Sequence, residues 1–259
     1  MPVTSNPKIG LALSGGAARG IAHIAVLDTL ELEGIPIHAI AGTSAGSIVG
    51  ALYAAGMPVT EIKRILLKTT WTDIFPFKFP NRGLISSEGI YRFMDSILPV
   101  KKFSSLLFPF AAVATDLRTG EKVSITSGSV ARAVQASCSL PIVFTPTEIN
   151  KRVTVDGGVS SQIPVRTVRE ELGATKVIAV NVNYKALETE EFDSMIKIAT
   201  HLSALWASRN ARVEEKLADV LVNVNAKGIS LYDLSKAKEL LKRGRMATEE
   251  KMPEIKALL

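Results

Sequence analysis

Two stretches decide how this chain folds: Lys8–Pro36, KIGLALSGGAARGIAHIAVLDTLELEGIP, and His38–Gly56, HAIAGTSAGSIVGALYAAG. Each starts with a short apolar run, crosses a turn of small residues and continues at helical spacing. Ile9–Leu13 reads as a buried strand, because it is apolar throughout and too short for a helix. After the turn Ser14–Gly20, a helix is expected from Ile21 to Glu33, with Ala22, Ala25, Val26, Thr29 and Leu30 recurring on one face and Gly34 as its stop. His38–Ala41 is the second strand. It feeds Gly42–Gly46 and a helix over 45–55, closed by Gly56 and Pro58.

Working outward, the alternation persists. Residues 60–98 read as interrupted helix, 109–116 as a strand, 119–122 as a turn and 123–125 as its paired strand. A helix is expected over 129–137, strands over 152–156 and 176–182, a long helix over 190–218, a strand over 220–224 and an amphipathic helix over 234–243. Strands alternating with helices predict an α/β fold of three layers, α/β/α, around a mostly parallel central sheet. No linker-like break appears, so residues 1–259 read as a single domain.

Bulk composition narrows the function classes. Hydrophobic residues make up 47% and charged residues 22% of 259, the balance of a globular chain. The lone cysteine, Cys138, excludes an intrachain disulfide and a cysteine-based metal cluster. The polar segment Met1–Lys8 lacks the pattern of a secretory signal, and the longest apolar run is broken by Pro36, His38 and Gly42–Gly46. A cytoplasmic protein, peripheral to membranes at most, is the expectation. The net charge of +6 suits an anionic membrane surface, but scattered basic residues and few aromatics give no nucleic-acid-binding pattern.

Gly42-Thr43-Ser44-Ala45-Gly46 is a G-x-S-x-G segment at a strand–helix junction, the context in which a nucleophilic serine is presented on a sharp turn. The flanking glycines let the backbone pass closely, and the following helix points its positive end at Ser44. Ser14–Gly20 occupies the equivalent junction of the first unit. Its row of amides suits either an oxyanion or a phosphate, and a purely structural turn is the third reading. Gly15, Gly16 and Gly20 have the wrong spacing for a dinucleotide fingerprint, and no Gly-Lys-Ser/Thr follows as in a P-loop.

A serine needs a proton acceptor. The order Ser44, Asp156, His201 would fit an α/β-hydrolase triad, but His201 falls inside the expected long helix, and His23 lies near the start of the first one.

Taken together, the segment Lys8–Pro36, the G-x-S-x-G at Gly42–Gly46, the run Ala136–Phe144 and Asp156-Gly157-Gly158 resemble, in that order, the patatin-like phospholipases. The resemblance runs from Lys8 to Val182. It implies the patatin-like α/β/α fold and hydrolysis of fatty acyl esters of lipids by a Ser-Asp dyad, with Ser44 as nucleophile and Asp156 as base. It also implies an oxyanion hole formed by the loop of Gly15, Gly16, Ala17 and Arg19, with Gly20, Gly42, Gly46, Gly157 and Gly158 as motif glycines. Neither metal nor cofactor is implied. Ala17 stands where many members carry a third glycine, at a cost of ~1–2 kcal/mol if positive φ is needed there. Arg19 is expected either to orient the loop or to attract a lipid phosphate, and Asp116 to be a turn residue. Residues 74–84, with Ile74, Phe75, Phe77, Phe79 and Leu84, suit either an apolar lid or a core-anchored loop. The basic amphipathic segment 234–243 suits a packed surface helix or a membrane-lying one. Three alternatives to a hydrolase stay open: acyl transfer or thioester hydrolysis on the same fold, a non-catalytic regulatory role, and nucleotide binding by the Gly15 loop.

Overall fold

The computed structural model describes residues 7–74, 85–186 and 195–259, and in it both opening units form at the expected places. β1 (Ile9–Leu13) passes through a 3-10 turn (Ala17–Ile21) into α1 (Ala22–Leu32). Gly34 takes φ +67° after it, the left-handed conformation that ends a helix without a Cβ clash. β2 (Ala39–Thr43) turns directly into α2 (Ala45–Ala54). Three helices follow, α3 (Val59–Lys68), the single turn α4 (Trp71–Ile74) and α5 (Glu88–Ile97). Then come β3 (Phe110–Asp116), β4 (Lys122–Ile125), α6 (Val130–Ser137), β5 (Thr147–Ile149) and β6 (Arg152–Asp156). β7 (Lys176–Tyr184), α7 (Met195–Glu215), β8 (Val220–Asn225) and α8 (Ala237–Lys256) complete the chain. Of the lid candidates, Phe75, Phe77, Phe79 and Leu84 lie outside the described residues, while Ile74 packs half-buried against the core.

The strands form one sheet in the order β5-β6-β3-β2-β1-β7-β8, with β4 also on β3. β3, β2, β1, β7 and β8 run parallel, and β4 and β6 run antiparallel to β3. The register on β3 is informative. β4 pairs with Ala112–Thr115, overlapping both the stretch paired with β2, Phe110–Val113, and the stretch paired with β6, Ala114–Asp116. A strand has two edges, so β2 and β6 must share the edge opposite β4, one after the other. They therefore run end to end, with Thr43 opposite Val113 and Asp156 opposite the next residue, Ala114. That is why the carboxyl end of β2 faces the carboxyl end of β6.

The two faces of the sheet differ. Leu11, Leu13, Ile40, Phe110, Ile178 and Val180 point into the larger core, shared with α1, α2, α3, α6 and α8. Ala12, Ala41, Ala111 and Ala179 make the other face, covered by Ile163–Leu172 and by Ala211 of α7. The result is the expected α/β/α sandwich, with a thinner second layer. Two sequence readings need correction. The terminal helix does not stop at Arg243. Gly244 packs with its backbone against Ala22 of α1, where a Cβ would sit 2.6 Å from the Ala22 carbonyl oxygen. It marks a helix crossing rather than an end, and α8 runs on to Lys256. β5 lies in a proline-flanked stretch that the sequence reading passed over.

Close packing at the second turn explains its glycines. A Cβ on Gly42 would lie 2.4 Å from the Gly46 carbonyl oxygen, and one on Gly46 would lie 2.4 Å from that of Leu13. Both obstacles are backbone, so neither can rotate aside. Gly46→Ala is accordingly expected to destabilise the fold by about 3 kcal/mol or more. Urea denaturation checks this: the midpoint falls with the slope unchanged, whereas a midpoint within error of the parent contradicts the packing argument.

Candidate active site

Ser44 sits at the junction of β2 and α2 with φ 51° and ψ −123°, a backbone conformation that costs of the order of 1–3 kcal/mol in a non-glycine residue. Neighbouring hydroxyls hold it there. The Ser137 hydroxyl accepts from the Ser44 amide at 2.9 Å and donates to the Val113 carbonyl at 2.6 Å. Ser47 donates to the Ser44 carbonyl at 2.6 Å. Ser44 is half-buried and opens onto a cavity of about 780 Å³, a volume ordinary for a small-molecule site.

Asp156, at the end of β6, also lines this cavity, although it is only 4% exposed. Its amide donates to the Ser139 carbonyl (2.9 Å), its carbonyl accepts from Thr115 Oγ1 (2.9 Å), and its Oδ1 accepts from the Gly158 amide (2.8 Å). Ser44 lines the same cavity and lies near enough to favour the ionised form of the Asp156 carboxyl. Burial lifts the Asp156 pKa from 3.8 to about 6, because desolvation penalises the carboxylate more than Ser44 and the hydrogen bond from Gly158 favour it. Cys138, buried close by, has its thiol pushed far up by desolvation and by the Asp156 charge.

The first turn faces the same point. A Cβ built on Gly15 would lie 3.2 Å from Ser44 Cβ, so the Gly15 backbone runs against the serine side chain. Most amides of the loop are engaged: Gly15 donates to Gln162 O, Ala18 to Leu231 O and Arg19 to Gly16 O, at 3.2, 2.9 and 2.9 Å. Among the described residues the amides of Gly16 and Ala17 have no partner outside their own turn. Ala17 takes φ 45°, the conformation in which its methyl group carries a penalty. Gly15, Gly16, Ala17, Arg19, Ser44, Asp156 and Gly158 all line the cavity, whereas Gly20, Gly42, Gly46 and Gly157 allow close backbone packing behind it.

Two residues that the sequence reading missed set the aim of this loop. Asn183 on β7 donates from Nδ2 to the Gly15 carbonyl at 2.6 Å, and Gln162 donates from Nε2 to the same oxygen at 3.2 Å. In a trans peptide the following N–H points the opposite way, so fixing the Gly15 carbonyl aims the Gly16 amide. Arg19 supports Asn183. Its buried guanidinium donates to Asn183 Oδ1 at 3.2 Å and, through Nε and Nη2, to Ile229 O at 2.9 and 2.7 Å. This packing favours the orienting role of Arg19 over phosphate attraction. No motif marks Asn183 or Gln162; only their distance from Gly15 in space does.

Two of the imidazoles, those of His23 and His38, serve the backbone elsewhere. His23 donates from Nε2 to Ser14 O (2.8 Å), and burial lowers its pKa to about 4. The Ile9 amide donates to His38 Nδ1 (3.0 Å), at the far end of β1. His201 lies within α7, as expected. The groups acting on the Asp156 carboxyl are Ser44 and Gly158, with no imidazole among them. Asp116 is a turn residue, accepting from the amides of Arg118 (2.9 Å) and Thr119 (3.4 Å).

A serine on a strand–helix elbow, beside a buried carboxyl and a glycine-rich turn on an α/β/α sheet, defines a class of α/β proteins with a serine elbow. The family follows from comparison: the model for "Patatin-like phospholipase" matches residues 11–169, and the chain belongs to that family. An NTE family protein of Mycobacterium tuberculosis is 32% identical over 220 residues, 84% of this chain and 59% of that protein. Lysophospholipase NTE1 of Scheffersomyces stipitis is 30% identical over 188 residues, 70% of this chain but 12% of its own length. The chain thus spans less than two thirds of the length of these relatives. VipD from Legionella pneumophila has a similar structure, with a TM-score of 0.65 at 15% identity over 98% of this chain and 67% of that one. Among the described residues no helix is long and apolar enough to cross a membrane.

The raised pKa of Asp156 has a consequence for stability. Below pH 3.8 the group is protonated in both folded and unfolded states. As pH rises towards about 6 the unfolded chain ionises first, and the folded state loses stability relative to it. Asp156→Asn removes this loss. The variant is expected to be more stable than the parent by up to about 3 kcal/mol at pH 8, and by only about 0.5 kcal/mol at pH 4. Urea denaturation at both pH values measures the gap; a gap of equal size at both contradicts the buried-charge account.

Proposed function

We propose that residues 1–259 act as one domain that hydrolyses fatty acyl esters of lipids, including phospholipids and lysophospholipids, with Ser44 as nucleophile and Asp156 as base. The observation that carries this reading is that Ser44 and the buried Asp156 line one cavity, into which the Gly15–Ala17 turn also faces. Membership of the patatin-like phospholipases and the likeness to lysophospholipase NTE1 of Scheffersomyces stipitis support the substrate class.

In this mechanism Ser44 Oγ attacks the ester carbonyl carbon while its proton passes to Asp156. A pKa near 6 makes the carboxylate a stronger base than a solvated aspartate by about 3 kcal/mol, yet leaves it mostly ionised at neutral pH. The negative charge that develops on the carbonyl oxygen is held by the amides of Gly16 and Ala17 and by the positive end of α2. Collapse of this intermediate breaks the ester bond, and the leaving alkoxide takes the proton from Asp156. Water then gives a proton to Asp156 and attacks the acyl-serine. A second collapse returns that proton to Ser44 Oγ and releases the fatty acid.

Ser44→Ala and Asp156→Asn are each expected to lower hydrolysis of a p-nitrophenyl acyl ester by at least ~10³-fold in folded protein, while His201→Ala stays within about twofold of the parent. Loss of activity in His201→Ala with retention in Asp156→Asn overturns the dyad. Free fatty acid is the expected product; predominant transfer of the acyl group to added alcohol would reassign the protein as an acyltransferase.

The pH profile is a separate check. Because the ionised carboxylate is the reactive form, kcat/KM is expected to fall about tenfold per unit below pH 6 and to level off above it. An inflection near pH 7 with the Asp156→Asn variant still active would point to an imidazole instead.

A further inference from the structure

α7 has two faces that do different things. Its inner face lines the cavity with small side chains, among them Ala204, Ala207 and Ala211. Polar anchors fix that face to the domain. Glu214 accepts from Ser161 Oγ (2.8 Å) and from the Arg166 amide (2.9 Å), and Glu215 accepts from Asn181 (2.7 Å). The outer face is apolar and open to solvent. At 100° per residue, Met195, Leu202, Trp206 and Val213 fall in one stripe, with Ile198 and Leu205 beside it. Their exposures are 86, 59, 59 and 58% for the stripe and 44 and 39% for the flanks. Single exposed apolar side chains are ordinary, as Leu32 on α1 and Met246 on α8 show, but a contiguous stripe along one helix face is the kind of patch that marks an interaction surface.

Charge says which kind. Arg209 and, in the turn just past the helix, Lys216 are exposed beside the stripe, while Arg212 lines the cavity, and the acidic residues of the helix, Glu214 and Glu215, are turned inward and bonded. Two copies of this face brought together would oppose cations to cations. An anionic lipid surface instead offers apolar chains to the stripe and negative headgroups to the cations. The segment 234–243, considered from sequence as a membrane-lying helix, has spent its apolar side internally: Leu240 is fully buried against the core. Trp206 also ties the outer face to the site. Its indole donates to the Val159 carbonyl at 3.0 Å, in the turn directly after Asp156-Gly157-Gly158.

We infer that the outer face of α7 docks on anionic lipid bilayers, placing the wall of the Ser44 cavity against the surface that holds its substrate. This deepens the acyl-hydrolase reading and rests on it only for the identity of the substrate; the docking itself needs no catalysis.

The test uses the full chain carrying Ser44→Ala, so that vesicles stay intact. It measures sedimentation with vesicles of phosphatidylcholine alone and of phosphatidylcholine mixed with phosphatidylglycerol. Binding is expected to favour the mixed vesicles. Adding Leu202→Glu and Val213→Glu, both at exposed positions away from the cavity, is expected to weaken it about tenfold or more. Arg209→Gln with Lys216→Gln is expected to remove most of the preference for the anionic vesicles while sparing weak binding to neutral ones. In the Ser44 parent, the two glutamate substitutions are expected to leave hydrolysis of a short water-soluble ester unchanged and to reduce release of fatty acid from vesicles. The docking is overturned if the glutamate variants sediment like the parent. It is also overturned if the parent ignores both vesicles and instead forms dimers, by sedimentation velocity, that those variants abolish. If vesicles bind as expected but neither ester is cleaved, the docking stands and the hydrolase reading fails.

Discussion

The structure depends on how β3 divides its edge. β2 and β6 are separated by more than a hundred residues, yet they meet the same edge of β3 at successive positions, Val113 and Ala114, and run towards each other. A β-sheet fixes such registers to within a residue, because a slip of one position turns every side chain to the opposite face. The separation of the serine elbow and the carboxyl is therefore set by backbone pairing rather than by side-chain flexibility. Ser137 reinforces the junction by bonding both the Ser44 amide and the Val113 carbonyl. Placing the two groups at the ends of strands that pair with the same neighbour, rather than far out on loops, is what makes a site of this kind geometrically stable.

Three local features run against stability, and all face one cavity. Ser44 and Ala17 hold positive φ without being glycines, and Asp156 is nearly inaccessible to water although it can ionise. Each is held by well-packed surroundings: the close approach of Gly42 and Gly46, the Asn183–Gln162 grip on Gly15, and the anchoring of Asp156 by Thr115 and Ser139. Positive φ also occurs at Ile142, Asn150, Lys151 and Lys185, so what sets the cavity apart is that strained residues and a buried carboxyl converge on it.

Local signals made much of this visible in the sequence. The two strand–turn–helix units, the elbow at Ser44 and the strand ending at Asp156 each carry their own pattern of apolar residues and glycines, so they were readable. What could not be read was long-range. Nothing in 110–116 or 152–156 announces that β6 shares an edge with β2, because pairing partners leave no periodicity. β5 is three residues long, too short to alternate, and the helix expected over 234–243 runs on through Gly244, whose reason for being glycine is the backbone of α1. Asn183 and Gln162 are single amides whose role exists only once β7 and the turn after β6 flank the first loop.

The lone cysteine has a practical side. Cys138 is buried behind the elbow, and its sulfur is held in the protonated form far above neutral pH. Thiolate-directed reagents at pH 7 to 8 therefore pass it over, since reactivity follows the thiolate fraction and access. The wild-type background thus serves as a blank for spectroscopic labelling. A single engineered thiol on the outer surface would carry a spin label or fluorophore with little competing signal, so motion of any element can be followed without first removing the native residue.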